Sequence, residues 1–314
     1  MSRARKTALR ALIGLALLAA LLWLAQPQAL WATLCGADWR WLALGLGLAV
    51  ASNVLSAWRW RLLVRFLGGD APFRDALRWY FQAIGLNSLL PGAVVGGDVY
   101  RAFTLRRQGV STDTATLSVL FDRISGLWML CGLSALGLAW CAAALHNPFF
   151  LPPAAYAALG LAWLALPFGA SWLLRRLPQG PSLQAGRAAQ WIGTLRQLAA
   201  RPDFTGQLWA QVAASAGVQL LSAAALACAA VSFGVWLPWF VWAYAMAPIF
   251  LMAAMPVSVG GWGTREAACV ATLVPFGVAA PAAIGVGLVY GLYGLAQGAL
   301  GALAFGLPAP SARS

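Results

Sequence analysis

Apolar runs long enough to cross a bilayer recur along this chain, and most of them are bounded by arginines. Residues 41–58, 114–145, 152–174, 207–231 and 282–306 each read as such a run. A membrane-spanning helix needs about 20 predominantly apolar residues, and within lipid every backbone polar group must be satisfied inside the protein. The chain is therefore read as an all-α, polytopic integral membrane bundle. Composition agrees: 61% of the residues are hydrophobic and 9% are charged, against about 25% charged in soluble domains. The 314 residues leave room for seven or eight helices, a single transmembrane domain over residues 1–314, and no sizeable soluble domain.

The net charge of +13 comes from arginines that lie between apolar runs rather than in one patch. That distribution fits the positive-inside rule and attraction to anionic head groups, and no nucleic acid is expected as a partner. Lys6 is the only lysine, which excludes a Walker A loop. His146 is the only histidine and the five cysteines form no Cys-x-x-Cys pair, so no metal and no cofactor are expected. Four basic residues precede the run at 11–25, which reads as an uncleaved first helix with a cytoplasmic N-terminus. Residues 26–40 then form an external loop. Arg59, Arg61, Arg65, Arg74 and Arg78 form a cytoplasmic basic stretch, and a second cytoplasmic loop covers 175–206.

One apolar segment contradicts a simple count of spans. Residues 79–99 are long enough to cross, yet arginines crowd both flanks, with Arg101, Arg106 and Arg107 directly after it. Positive charge on both sides argues for entry and exit on one face, and Pro91-Gly92 breaks the helix in the middle. A re-entrant hairpin satisfies both. Such backbone is tolerated at depth only when packed in protein or lining a wet cavity.

The polar residues gather at this break: Asn87, Pro91, Gly96, Gly97, Asp98 and Arg101. A second stretch answers it with Pro256, Ser258, Gly260, Gly261, Trp262, Arg265 and Glu266. In both, an arginine follows the second glycine of a Gly-Gly pair by four residues. The motifs, near 79–107 and 247–275, form an approximate internal repeat, parallel or inverted, of two re-entrant or broken-helix hairpins. A helix starting after each glycine pair would aim free N–H groups and its positive dipole end into the membrane. That is how broken helices bind anionic groups. Glycines admit a phosphate to the backbone, and Arg101 and Arg265 add fork-like contacts to its oxygens. Asp98 and Glu266 would orient those arginines or meet a cationic head group.

A blander reading stands beside this one. Asp98 with Arg101, Asp122 with Arg123, and Arg265 with Glu266 could each neutralise a helix end, since a charge at the bilayer centre costs about 2.5–3.5 kcal/mol on insertion scales. Most of the seventeen tryptophans are expected as interfacial anchors. Gly287, Gly291, Gly294, Gly298 and Gly301 fall on one face of the last helix, which points to close helix packing.

Taken together, Asn87, Pro91-Gly92, Gly96-Gly97-Asp98 and Arg101, then Asp122-Arg123 with Gly126-Leu127, then the stretch from Pro256 to Glu266 resemble the signature of the lysylphosphatidylglycerol synthase transmembrane-region family. The resemblance covers essentially the whole chain. It implies the flippase-like domain that moves aminoacylated phospholipid between leaflets, without the soluble synthase that makes it. Stand-alone members occur near hopanoid, carotenoid and glycolipid genes, so the lipid implied is a phospholipid or a polyprenyl-linked lipid.

The expected function is a lipid translocase in the bacterial inner membrane, not an enzyme. It would run downhill or on an ion gradient, with Asp98, Asp122 and Glu266 as candidate proton carriers. Two alternatives belong to other classes: a polyprenyl-phosphate-dependent glycosyltransferase or other lipid-modifying transferase, and a non-catalytic partner of a lipid-synthesis complex. Expected protein partners are a second copy of the chain or a lipid-synthesis enzyme.

Overall fold

The computed structural model describes residues 27–89, 96–145, 151–176, 187–255, 258 and 260–305. The first helix expected at 11–25, Pro91, Pro256 and the turn at 146–148 lie outside the described residues. Within them all the regular secondary structure is helical, with no strand, as the apolar runs require. In order come α1 (Pro27–Cys35), α2 (Trp39–Phe66), α3 (Phe73–Leu89), α4 (Gly96–Arg107), α5 (Thr112–Leu145) and α6 (Pro153–Arg176). There follow α7 (Arg187–Ala200), α8 (Phe204–Val231), α9 (Trp239–Ala254), α10 (Thr264–Leu273), a single 3₁₀ turn, and α11 (Ala280–Leu303).

Among the described residues five helices are long and apolar enough to cross a membrane: α2, α5, α6, α8 and α11. The protein is a multi-pass membrane protein. Only 6% of the apolar window of α6 is buried among the described residues, and that helix packs on α5 and α7.

Three expectations need correcting. The second span does not end at residue 58. α2 runs on to Phe66 and carries Arg59 inside the bundle rather than in a basic loop. The region 26–40 contains the helix α1, and the region 175–206 contains α7. Both were legible as loops because their apolar residues are too few to span, which does not prevent a short surface helix.

The helices share two ends. At one, arginines hold the chain: Arg201 donates to the Phe66 carbonyl and Arg175 to that of Ala199 at 2.7 Å. There, too, Arg78 donates to the Ala304 carbonyl at 3.2 Å. At the other, the Asp38 N–H donates to the Ser232 carbonyl at 2.9 Å, and the Trp41 and Trp236 rings meet edge-on at 5.7 Å.

Between these ends sit two helix–break–helix units whose arms are short. α3 and α4 have 17 and 12 residues, and α9 and α10 have 16 and 10. At about 1.5 Å per residue the longest arm is roughly 26 Å, short of the ~30 Å hydrocarbon core. The α3–α4 unit is an antiparallel hairpin: Gly97 lies against Ala83 and Asn87, Tyr100 donates to Gln82 at 2.7 Å, and Arg101 lies over the Tyr80 ring. It begins and finishes at the arginine-rich end. The α9–α10 unit starts beside Trp236 at the opposite end and returns there through Leu273. The two hairpins therefore enter the bundle from opposite ends.

α11 connects them. It runs antiparallel to α3 at backbone contact: a Cβ on Gly301 would collide with the Phe81 carbonyl, and one on Gly85 would stand 3.0 Å from Ala302 N. One more turn brings Leu89, the end of α3, level with Gly294. Three residues further along α11, Gly291 lies beneath Trp262 and Arg265 of the second hairpin. The glycine stripe is thus a packing device, as expected, except at Gly294, which has open space beside it.

Candidate functional site

The first charged group is built from three elements. Asp122, in the first third of α5, receives the Arg59 side chain from α2 at 2.8 Å and the Arg101 side chain from α4 at 2.8 Å. All three are buried. Arg101 also donates to Asp98 at 2.8 Å, and Asp98 in turn accepts two bonds from Arg123 at 2.8 and 2.9 Å. The result is one chain of charges, Arg59–Asp122–Arg101–Asp98–Arg123. Three guanidinium groups face two carboxylates, leaving one positive charge.

The pairing differs from that expected for Asp122 and Arg123. Consecutive helical residues point about 100° apart, so these two neighbours serve different partners. Asp122 faces inward to Arg59 and Arg101, and Arg123 reaches outward to Asp98. The pair Asp98–Arg101, three residues apart on one helix, does form.

Arg101 is 2% exposed in its side chain. Its guanidinium lies between the Trp60 and Tyr80 rings, 5.0 and 4.8 Å from their centroids. Cation–π contacts of this kind are worth about 0.5–2 kcal/mol each, most when desolvated. Arg59 was not anticipated as a site residue. In the sequence nothing separates it from the basic residues that follow; only the continuation of α2 to Phe66 carries it into the bundle. Arg59 also donates to Ser215 at 3.1 Å and lies against Gly126.

Asn87 and Gly97 fix the hairpin. The Gly97 N–H donates to the Asn87 side-chain carbonyl at 2.8 Å, so this helix-start donor is already satisfied. The helix begins at Gly96, on the glycine pair rather than after it. A Cβ on Gly97 would stand 2.5 Å from the Ala83 carbonyl oxygen, and the close approach that this glycine permits is that of its own partner helix.

The second group has the same parts in another order. Arg265 donates to Glu266 at 2.7 Å and to the Gly287 carbonyl of α11 at 2.8 Å, and stacks on Trp262 at 4.8 Å. Glu266 also accepts from the Gly263 N–H at the start of α10. Ser258 and Thr264 share a hydrogen bond of 3.0 Å. Gly260, Gly261 and Gly263 all have positive φ, 61°, 76° and 84°, which lets the break turn sharply. A Cβ on Gly261 would stand 2.8 Å from the Ala253 carbonyl, so this glycine too seats one arm on the other. Unlike the first group, this one is neutral, and both its charged side chains are buried.

α8 supplies a feature that was not anticipated. Gln211, Ser215, Gln219 and Ser222 recur at steps of four, four and three and are all buried. They bond in turn to the Arg59 carbonyl, the Arg59 side chain, the Gly126 carbonyl and Ser52. This polar file rises about 16 Å along the helix at ~1.5 Å per residue from the level of the first charged group. Tyr290 of α11 lies between Phe250 of α9 and Tyr293, with ring centroids 5.3 and 6.1 Å away. The antiparallel packing of α9 on α5, with Phe240 against Cys141 and Tyr244 against Gly137, carries the end of α9 to the level of residues 126–127, one turn from Asp122. Among the described residues no cluster of histidine, cysteine, aspartate or glutamate is suited to a metal.

No curated protein matches the chain in sequence. A family model does, over residues 11–301, nearly its full length and including both hairpins and both charged groups. The chain belongs to the family of the lysylphosphatidylglycerol synthase TM region.

Proposed function

We propose that this protein moves a lipid, a phospholipid or a polyprenyl-linked lipid, between the leaflets of the bacterial inner membrane. The observation that carries the reading is a pair of short-armed hairpins that enter from opposite ends of the bundle and both pack on α11. Each ends in a charged group, and a polar file on α8 rises from the first. Broken helices with charged tips near mid-depth are the usual construction of membrane transport sites. Irregular backbone at that depth is tolerated when it lines a polar cavity.

In this reading both hairpins are re-entrant, and their tips form the polar waist that a head group crosses while its acyl chains stay in lipid. The arginine-rich end is cytoplasmic, as is the N-terminus. Arg101 and Arg265, engaged by Asp122, Asp98 and Glu266, hold the tips in place and set the field that an anionic head group meets. Movement is downhill or coupled to an ion gradient.

The test is reconstitution of the purified protein in liposomes with labelled anionic, zwitterionic and polyprenyl lipids. Accelerated leaflet exchange of at least one class supports the reading. No acceleration of any class overturns it.

A further inference from the structure

The charge chain of the first group has one end that is not sealed. The Arg123 side chain is 48% exposed and its partner Asp98 20%, whereas Arg101 and Asp122 are each 2% exposed. Around the helix axes both residues lie at a border. On α4, Asp98 falls between the buried Arg101 and the exposed Val99 and Phe103. On α5, Arg123 falls between the buried Asp122 and the exposed Leu120, Ile124 and Leu127. The α4–α5 seam therefore presents an ion pair rimmed on both sides by exposed apolar side chains.

Depth makes this arrangement unusual. Arg123 is eleven residues into α5 and Asp98 nine residues from the end of α4, about 14–17 Å from the arginine-rich helix ends at ~1.5 Å per residue. A half-exposed charge there costs several kcal/mol unless it is partnered. Asp98 is the partner, and it is shared with Arg101. The chain as a whole keeps one uncompensated positive charge, which a group bearing one negative charge would neutralise.

Resting on the translocase reading, we propose that the α4–α5 seam is the lateral portal through which a phospholipid enters. Its phosphodiester docks on Arg123 in competition with Asp98, and its acyl chains remain outside along Val99, Phe103, Leu120, Ile124 and Leu127. Asp98 occupies the phosphate position when no lipid is bound. Arg123 holds the two phosphate oxygens with the same fork that now holds the two carboxylate oxygens. Asp98 stays on Arg101 throughout, so the buried part of the chain is never left without a counter-charge.

The two members of the pair then have opposite effects on lipid binding, which a merely structural salt bridge does not. The experiment titrates purified protein with phosphatidylglycerol and counts bound lipid by native mass spectrometry, with phosphatidylcholine as the neutral comparison. Asp98→Asn removes the competitor and is expected to tighten phosphatidylglycerol binding about tenfold. Arg123→Gln removes the ligand and is expected to weaken it at least tenfold. Arg123→Lys, at the exposed end of the pair, falls between wild type and Arg123→Gln and carries the test if Asp98→Asn does not fold. Shifts of the two variants in the same direction, or no shift in either, overturn the portal. Leaflet exchange by the wild type with no such shifts removes the portal and keeps the translocase. Opposite shifts without exchange keep the lipid site and remove the translocase.

Discussion

Arg101 and Asp122 meet at 2.8 Å across two elements of different kinds, a short hairpin arm and a full-length span. This contact ties the first hairpin to the bundle. Asp122 is shared with Arg59 of α2, so a single carboxylate joins three helices.

Removing that carboxylate leaves two buried arginines facing each other. Truncating one partner of a buried ion pair costs about 3–5 kcal/mol. Asp122→Ala is expected to lose at least that much, seen as a large drop in melting temperature in detergent. Asp122→Ala with Arg59→Met should recover part of the loss, because one unpaired charge is then removed. An unchanged melting temperature in the single variant would mean that the charges are wetter than their burial indicates.

The all-helical fold and two separate helices on either side of residues 90–95 were legible because they depend on local composition: long apolar runs, a helix breaker, a glycine pair beside an arginine. The partners of the charges were not. Asp122 and Arg123 are adjacent in the chain, and only the rotation of about 100° per residue together with the position of α4 sends them to different partners. Arg59 was hidden for a similar reason. A tally of basic residues places it in a cytoplasmic stretch, whereas Asp122 and Ser215, distant in sequence, allow the helix to carry it into the bundle. The polar file on α8 was masked by the alanines and leucines around it.

The last helix offers a test of packing without charge. A methyl on Gly301 meets the Phe81 backbone, while one on Gly294 meets nothing within 4 Å. Gly301→Ala should sharply reduce folded yield, measured by fluorescence-detected size exclusion, because backbone cannot give way as a side chain can. Gly294→Ala should leave yield near wild type. Equal behaviour of the two would contradict the α3–α11 contact.

Arg265 uses its fork inside the protein: Nε–H and Nη2–H both donate to Glu266 Oε1, and Nε–H is shared with the Gly287 carbonyl. Lysine keeps the charge but not that geometry. Arg265→Lys is therefore expected to lower stability by about 1–3 kcal/mol, the cost of leaving a buried acceptor unpaired, and to speed proteolysis. Wild-type resistance to protease would show that charge alone suffices there.

Entry of the hairpins from opposite ends can be read by labelling. In a cysteine-free background, single cysteines at Arg74 and Arg107 should react with an impermeant maleimide from the same side of the membrane. One at Trp236, exposed at the opposite end, should react from the other. Labelling of positions 74 and 107 from different sides would turn the first hairpin into a span.

The most direct measurement is the leaflet half-time of a fluorescent phosphatidylglycerol in vesicles containing the purified protein, read with an impermeant quencher. The expected result is a half-time at least tenfold shorter than in protein-free vesicles, returning toward the protein-free value with Arg123→Gln at equal reconstitution. Half-times equal to those of protein-free vesicles, for this lipid and for zwitterionic and polyprenyl lipids alike, would contradict translocation.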